Sequence, residues 1–258
     1  MRLLPVCLLA AAAFAADVAP DHARYVAALK EFRAQEGRSL AALRSPAASS
    51  EERRAAIDDI RERLVDEPSG SLTKEVAALL AAAGPAEARL LLAALAEAKA
   101  AGATPQVAAL AGQAGSPVRV DAALALAELG GAKAVPVLAA LAKDEAIAED
   151  VIQALAKVSG PGVTEAFNAG IRDAKADLPA RVALIKAAVV RNHRAVAAAL
   201  CTTVLEEPMR LESQKALLKL ATSADLPALR QAEQAVANAA TKAALGRLIA
   251  KLEKPEGK

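Results

Sequence analysis

Two histidines, His22 and His193, and the cysteine Cys201 are the side chains of this 258-residue chain best suited to metal binding or nucleophilic chemistry. Neither histidine has a Cys, Asp or Glu at a metal-ligand spacing, and Cys7, the second thiol, lies in the leading apolar stretch. A zinc site is therefore not expected. His193 follows Asn192 at a predicted helix start, a place for capping or simple exposure. Cys201 sits in AAALCTTV without nearby cations, which predicts a buried structural thiol rather than an activated one. The carboxylate pairs Glu51-Glu52, Asp58-Asp59, Glu149-Asp150 and Glu206-Glu207 are adjacent in sequence. Adjacent helical positions point about 100° apart, so these pairs are helix-surface charges and poor acid/base dyads. Gly112-Gln113-Ala114-Gly115 lacks the Lys-Ser/Thr of a phosphate loop, and no Gly-x-Ser-x-Gly elbow occurs. The residues point to no catalysis and no cofactor.

Binding is the remaining chemistry, and it depends on the elements that would carry it. Alanine accounts for 72 of the residues, aromatics for 2%, and tryptophan is absent. A core of Ala, Leu and Val favours closely packed helices over a sheet. From Asp21 to about Arg44 the chain reads as one helix or two, with Tyr25, Leu29 and Phe32 on a shared face. Ser45 to Ser50 reads as a linker, and Glu51 to Val65 as an amphipathic helix with Ile57, Ile60 and Leu64 inward. Helices follow at about 72–83, 86–101, 104–113, 117–129, 132–143, 146–158, 161–174, 178–191, 194–206, 208–222, 225–238 and 240–253. The ends of alternate helices, at Gly102, Gly130, Gly160, Asn192 and Ser223, lie 28, 30, 32 and 31 residues apart. A period near thirty is two short helices and two turns, a unit too small to bury its own apolar face without neighbours.

In the clearest unit, Pro117-Val118-Arg119, Ala122-Ala123, Leu126, Leu129-Gly130, Ala134-Val135-Pro136-Val137-Leu138, Leu141 and Asp144 together resemble the short HEAT-like repeat, including the form found in phycobilisome lyases. The match weakens on both sides. Gly130 gives way to Asn192 and Ser223, and the Val-Arg pair returns loosely as Met209-Arg210 and less convincingly as Arg181-Val182. The resemblance implies an all-α fold, an α-solenoid of antiparallel helix pairs whose second helices line a concave surface, and a role in protein binding or scaffolding. Period and helix pattern extend it over residues 51–253 as about six helix pairs. Residues 16–50 then form an N-terminal helical cap and linker, and 254–258 a disordered tail.

On the second helices Lys133 and Lys143, Arg172 and Lys175, Arg194 and Arg230 offer one or two bases per repeat, a candidate binding stripe that solvated turn charges would equally produce. Tyr25 and Phe32 are expected to cover the open end of the repeats, with a partner-docking helix as the alternative. A net charge of +2 with mixed signs gives no field suited to nucleic acid. Arg2, the apolar run from Leu3 to Phe14 and Ala13-Phe14-Ala15 read as a signal peptide cut after Ala15. That predicts a bacterial periplasmic or secreted protein without stable membrane insertion, and with no intrachain disulfide once Cys7 has left. The expected function is an exported module binding a protein or peptide. The alternatives are an accessory or lyase-like enzyme subunit and a structural component of an envelope assembly.

Overall fold

The computed structural model describes the backbone of residues 6–66 and 70–254, and side chains over 22–65 and 70–254. The side chains of the expected leader and around its expected cut after Ala15, and the tail from residue 255, lie outside the described residues. Among those described, the protein is all helical, with fourteen α-helices packed against their neighbours and no strand. No helix among them is long and apolar enough to cross a membrane. The chain divides into two compact units, Met1–Glu67 and Pro68–Lys258.

The first unit is a pair of helices, α1 (Val6–Arg44) and α2 (Ser50–Asp66), joined by the expected linker. A capping box starts α2: the Ser49 backbone N–H donates to Glu52 Oε2 at 2.7 Å, while Ser49 Oγ accepts from the Glu52 N–H at 3.2 Å. Leu40, Leu43, Ile57, Ile60 and Leu64 are buried. Arg63 binds α1 to α2 by donating to the Phe32 carbonyl at 2.8 Å, with its guanidinium 4.3 Å from the Phe32 ring centre. Asp59 accepts from Arg63 Nε at 2.9 Å and Ser39 Oγ at 2.6 Å. Burial alone would raise the Asp59 carboxyl, but these bonds hold it below its ordinary range. The Tyr25, Leu29 and Phe32 stripe is therefore split: Phe32 is half-buried beneath Arg63, whereas Tyr25 is 66% exposed.

The second unit runs through α3 (Gly70–Leu79), α4 (Pro85–Glu97), α5 (Thr104–Gly112), α6 (Arg119–Leu129), α7 (Ala134–Leu141), α8 (Ala148–Lys157) and α9 (Val163–Arg172). It continues with α10 (Leu178–Val190), α11 (Ala197–Thr203), α12 (Arg210–Leu220), α13 (Leu226–Ala235) and α14 (Ala239–Leu252). Contacts follow a rule. Each even-numbered helix from α4 to α14 packs on the next even one, each odd-numbered helix from α3 to α13 packs on the next odd one, and successive helices such as α5–α6, α9–α10 and α13–α14 pack together. Leu91, Leu126, Leu155, Leu184 and Leu217 fill the even file, and Val107, Leu138, Phe167, Leu200 and Leu229 the odd file, all essentially without solvent exposure. Each such side chain contributes about 1.5–3 kcal/mol through burial.

The corners between the files explain the thirty-residue spacing. Lys99, Gly131, Gly160 and Asn192 all have left-handed backbone, at φ 50°, 48°, 116° and 53°. Two of these corners are the same structure. Ala100 N donates to Leu95 O and Ala101 N to Lys99 O, while His193 N donates to Ala188 O and Arg194 N to Asn192 O, each pair closing into a short 3-10 turn. Asn substitutes at the second corner because its side chain tolerates left-handed backbone better than most. At Ser223 no left-handed residue occurs; a Thr222–Asp225 capping box starts the turn instead.

Candidate functional site

Small side chains line a sizeable opening in the second unit. Along α7 and the turn before it, Ala132, Val135, Pro136, Ala139 and Ala140 face Ala166, Ala169 and Gly170 of α9, with Ala180 and Leu184 of α10 behind them. Because most of these side chains end at Cβ, the helices leave a groove of about 610 Å³. Gly170 lets α9 and α10 approach closely: a Cβ there would come within 2.6 Å of Leu184 Cδ1, so that side chain would have to shift. The rim is polar, with Asp173, Lys175 and Asp177 from the α9–α10 connection. Asp173 Oδ1 accepts from the Lys175 N–H at 3.0 Å and fixes that connection as a turn. An apolar side chain could enter this groove and leave water without stripping a charged group of its solvation. The polar groups of the lining are the carboxylates of Asp173 and Asp177 and the amine of Lys175.

A shallower opening of about 350 Å³ lies on the even file, between Ile152 of α8, Ile185, Lys186, Val189 and Val190 of α10, and Glu212, Lys215 and Lys219 of α12. Lys215 is engaged with Glu212 at 2.8 Å.

The bases expected to form a stripe are all exposed but occupy different structural places. Lys133 ends the 3-10 turn entering α7, and Arg194 begins the equivalent turn entering α11. Arg172 closes α9, and Arg230 lies within α13, where it pairs with Glu253 at 2.6 Å. Lys143 lies in the turn after α7, and Lys175 on the groove rim. Cys201 is buried, and burial, with Asp225 adding to it, pushes its thiol up to about 11. His193 is not simply exposed. Its ring meets Phe167 edge-on with centres 5.5 Å apart, and its Nε2 is buried without a protein hydrogen bond. Burial and the neighbouring Arg191 lower its pKa below the ordinary imidazole value. Among the described residues, no group of three or more His, Cys, Asp or Glu is placed to hold a metal ion.

Arginine at the start of an even helix has a structural role that spacing only partly revealed. Arg119 donates from Nε to the Ala111 carbonyl at 2.9 Å and pairs through Nη1 with Asp144. Arg181, the weaker match by sequence, repeats the arrangement: Nε to the Ile171 carbonyl at 2.9 Å and Nη1 to Glu206 at 2.7 Å. Both carboxylates lie 25 residues after their arginine. Arg210 begins α12 in the same position, and its carboxylate partner is Glu207 on the preceding turn. Arg119 and Arg181 tie the end of one odd helix to the next even helix and to the turn one unit on, whereas Arg210 Nε is buried without a hydrogen-bond partner.

No family model, curated protein or solved structure matches this chain.

Proposed function

We propose that this chain is an exported HEAT-like α-solenoid that binds a protein or peptide partner, without catalysis of its own. The helix-to-helix rule of the second unit supports the solenoid reading: even packs on even and odd on odd in chain order, with equivalent corners at Lys99 and Asn192. The observation that carries the binding reading is the open, alanine-lined groove between α7 and α9, consecutive members of the file that would form the concave face. Its volume suits one or a few apolar side chains, and the charged turns beside it suit the polar rim of an interface. Lys133, Arg172 and Arg194, exposed on the same file and its turns, are the polar contacts of this reading. Arg230 ranks below them because Glu253 already engages it. Export to the periplasm, or beyond the cell, follows from the leader.

A second reading, a structural component of an envelope assembly, is favoured by one observation: Tyr25 on α1 is 66% exposed, which suits a docking helix. One capture experiment separates the two. The mature chain would be used as bait against its native envelope fraction, beside Ala169→Arg in the groove, Arg172→Glu with Arg194→Glu, and Tyr25→Ala. Partner recovery should fall at least tenfold with Ala169→Arg, and in part with the charge reversals, while far-ultraviolet circular dichroism is unchanged. Loss confined to Tyr25→Ala would favour docking through α1. Equal recovery by all four baits would remove both readings.

A further inference from the structure

We propose that the corner joining α10 to α11 is a proton-sensitive joint, in which uptake of one proton by His193 loosens the packing of α9 against α10 and α11. The inference stands whether or not the groove binds a partner.

The corner is built around Phe167, a fully buried aromatic side chain on α9. The imidazole of His193 meets the Phe167 ring edge-on, and the guanidinium carbon of Arg191 lies 5.5 Å from the same ring's centre. Arg191 is anchored by donating to the Val158 carbonyl at the end of α8, at 2.6 Å. The turn has little freedom to rearrange. Asn192 is held in left-handed backbone, the His193 N–H donates to Ala188 O at 2.8 Å, and Asn168 Nδ2 donates across to Ala195 O at 3.3 Å.

A neutral imidazole needs only one donor, but a protonated one has two. Nε2 of His193 is buried and has no acceptor in the protein, so a second N–H would be left unpaired. The added charge would also stand beside the fixed cation of Arg191, which already acts on this ring. Other charged groups on the surrounding elements exert no comparable influence: Lys157 on α8, Glu165 and Arg172 on α9, Arg181 and Lys186 on α10, and Arg194 on the turn. Cys201 on α11 stays a neutral thiol throughout this range. No carboxylate offsets the new charge.

The sign follows from linkage. With a folded-state pKa below the unfolded value near 6.5, the unfolded chain binds more protons in the window between the two. Stability is therefore full above pH 6.5, falls as pH drops toward the folded-state value, and is level below it. Asn168 Oδ1 is the group that could reverse this, because it too is buried without a partner and lies next to Phe167. Were it to accept from the imidazolium, acid would stabilise the corner. Ala166, Ala169 and Gly170 of the groove lie on α9, so loosening that helix would also change the groove.

The test uses the full mature chain. Only two histidines exist, so proton NMR titration of the imidazoles resolves both, with His22→Gln assigning them. Thermal unfolding between pH 8 and pH 5 is compared for the wild type, His193→Gln and His22→Gln. His193 should titrate below 6.5. The wild-type Tm should fall by about 2–4 °C more than that of His193→Gln over this range, and His22→Gln should follow the wild type. Amide exchange should quicken at 163–172 and 197–203 as the pH falls. An imidazole titrating at or above 6.5, or identical pH profiles for wild type and His193→Gln, would overturn the proposal. Should His193→Gln fail to fold, the wild-type titration and exchange still decide.

Discussion

At the scale of single residues, the buried arginines do more for this protein than any side chain chosen for its chemistry. Arg181 is 95% removed from solvent yet bonded to a carbonyl on one helix and a carboxylate on the following turn, so its removal leaves Ile171 O without a donor. Arg181→Met is expected to cost about 1–3 kcal/mol in urea unfolding, whereas Arg89→Met, which breaks a half-exposed pair with Asp121, should cost under about 1 kcal/mol. Equal effects would show that exposure does not govern these pairs. The role of Arg181 was hard to read because Ala180 stands where Val118 precedes Arg119, although Pro179 keeps the place of Pro117. The constant 25-residue step to an acid was there, but many acids fall at many spacings. His193 was misread for a related reason. Sequence shows the turn it occupies, while Phe167, 26 positions earlier, is what covers its ring.

At the scale of the elements, the helices were largely legible. Breakers placed all twelve helices of the second unit to within a few residues, since Gly, Pro and cap residues act locally and a 3.6-residue apolar rhythm needs no tertiary partner. The corners were less so. Gly130 and Gly131 announce theirs, but the equivalent corner at Lys99 carries a residue with no turn signature. What Gly130 supplies is space as well as a break, because a Cβ there would lie 2.7 Å from Ala134 Cβ and 3.1 Å from Leu126 O. Gly130→Ala should therefore lower stability by about 1–3 kcal/mol. Gly112→Ala, at the end of α5 with nothing within 4 Å, should be neutral or stabilising by up to about 1 kcal/mol. Chemical denaturation of the two variants distinguishes the cases, and a matching effect in both would mean that the close neighbours of Gly130 do not set its cost. The groove between α7 and α9 had no legible signal: with 72 alanines, the seven that line it look like all the others.

Across the whole molecule, helix contacts in the second unit fall mostly between helices one or two places apart along the chain, with α7 and α10 a longer link. Stability should then be close to a sum over units and their interfaces rather than the property of one central core. The same arrangement lets a local event at the α10–α11 corner stay local, and under the proposed binding reading it would spread a partner over a long surface of shallow contacts. The reading as a solenoid binding module rests on this linear pattern, so truncation from the C-terminus tests it most directly. Chains ending at Ala221, without α13 and α14, and at Arg191, without α11 and α12 as well, would be compared with the full chain by circular dichroism and thermal unfolding. The solenoid account predicts that each removal lowers Tm in a step while the remaining residues keep their helicity. Loss of helical structure throughout the second unit on removing α13 and α14 alone would contradict it.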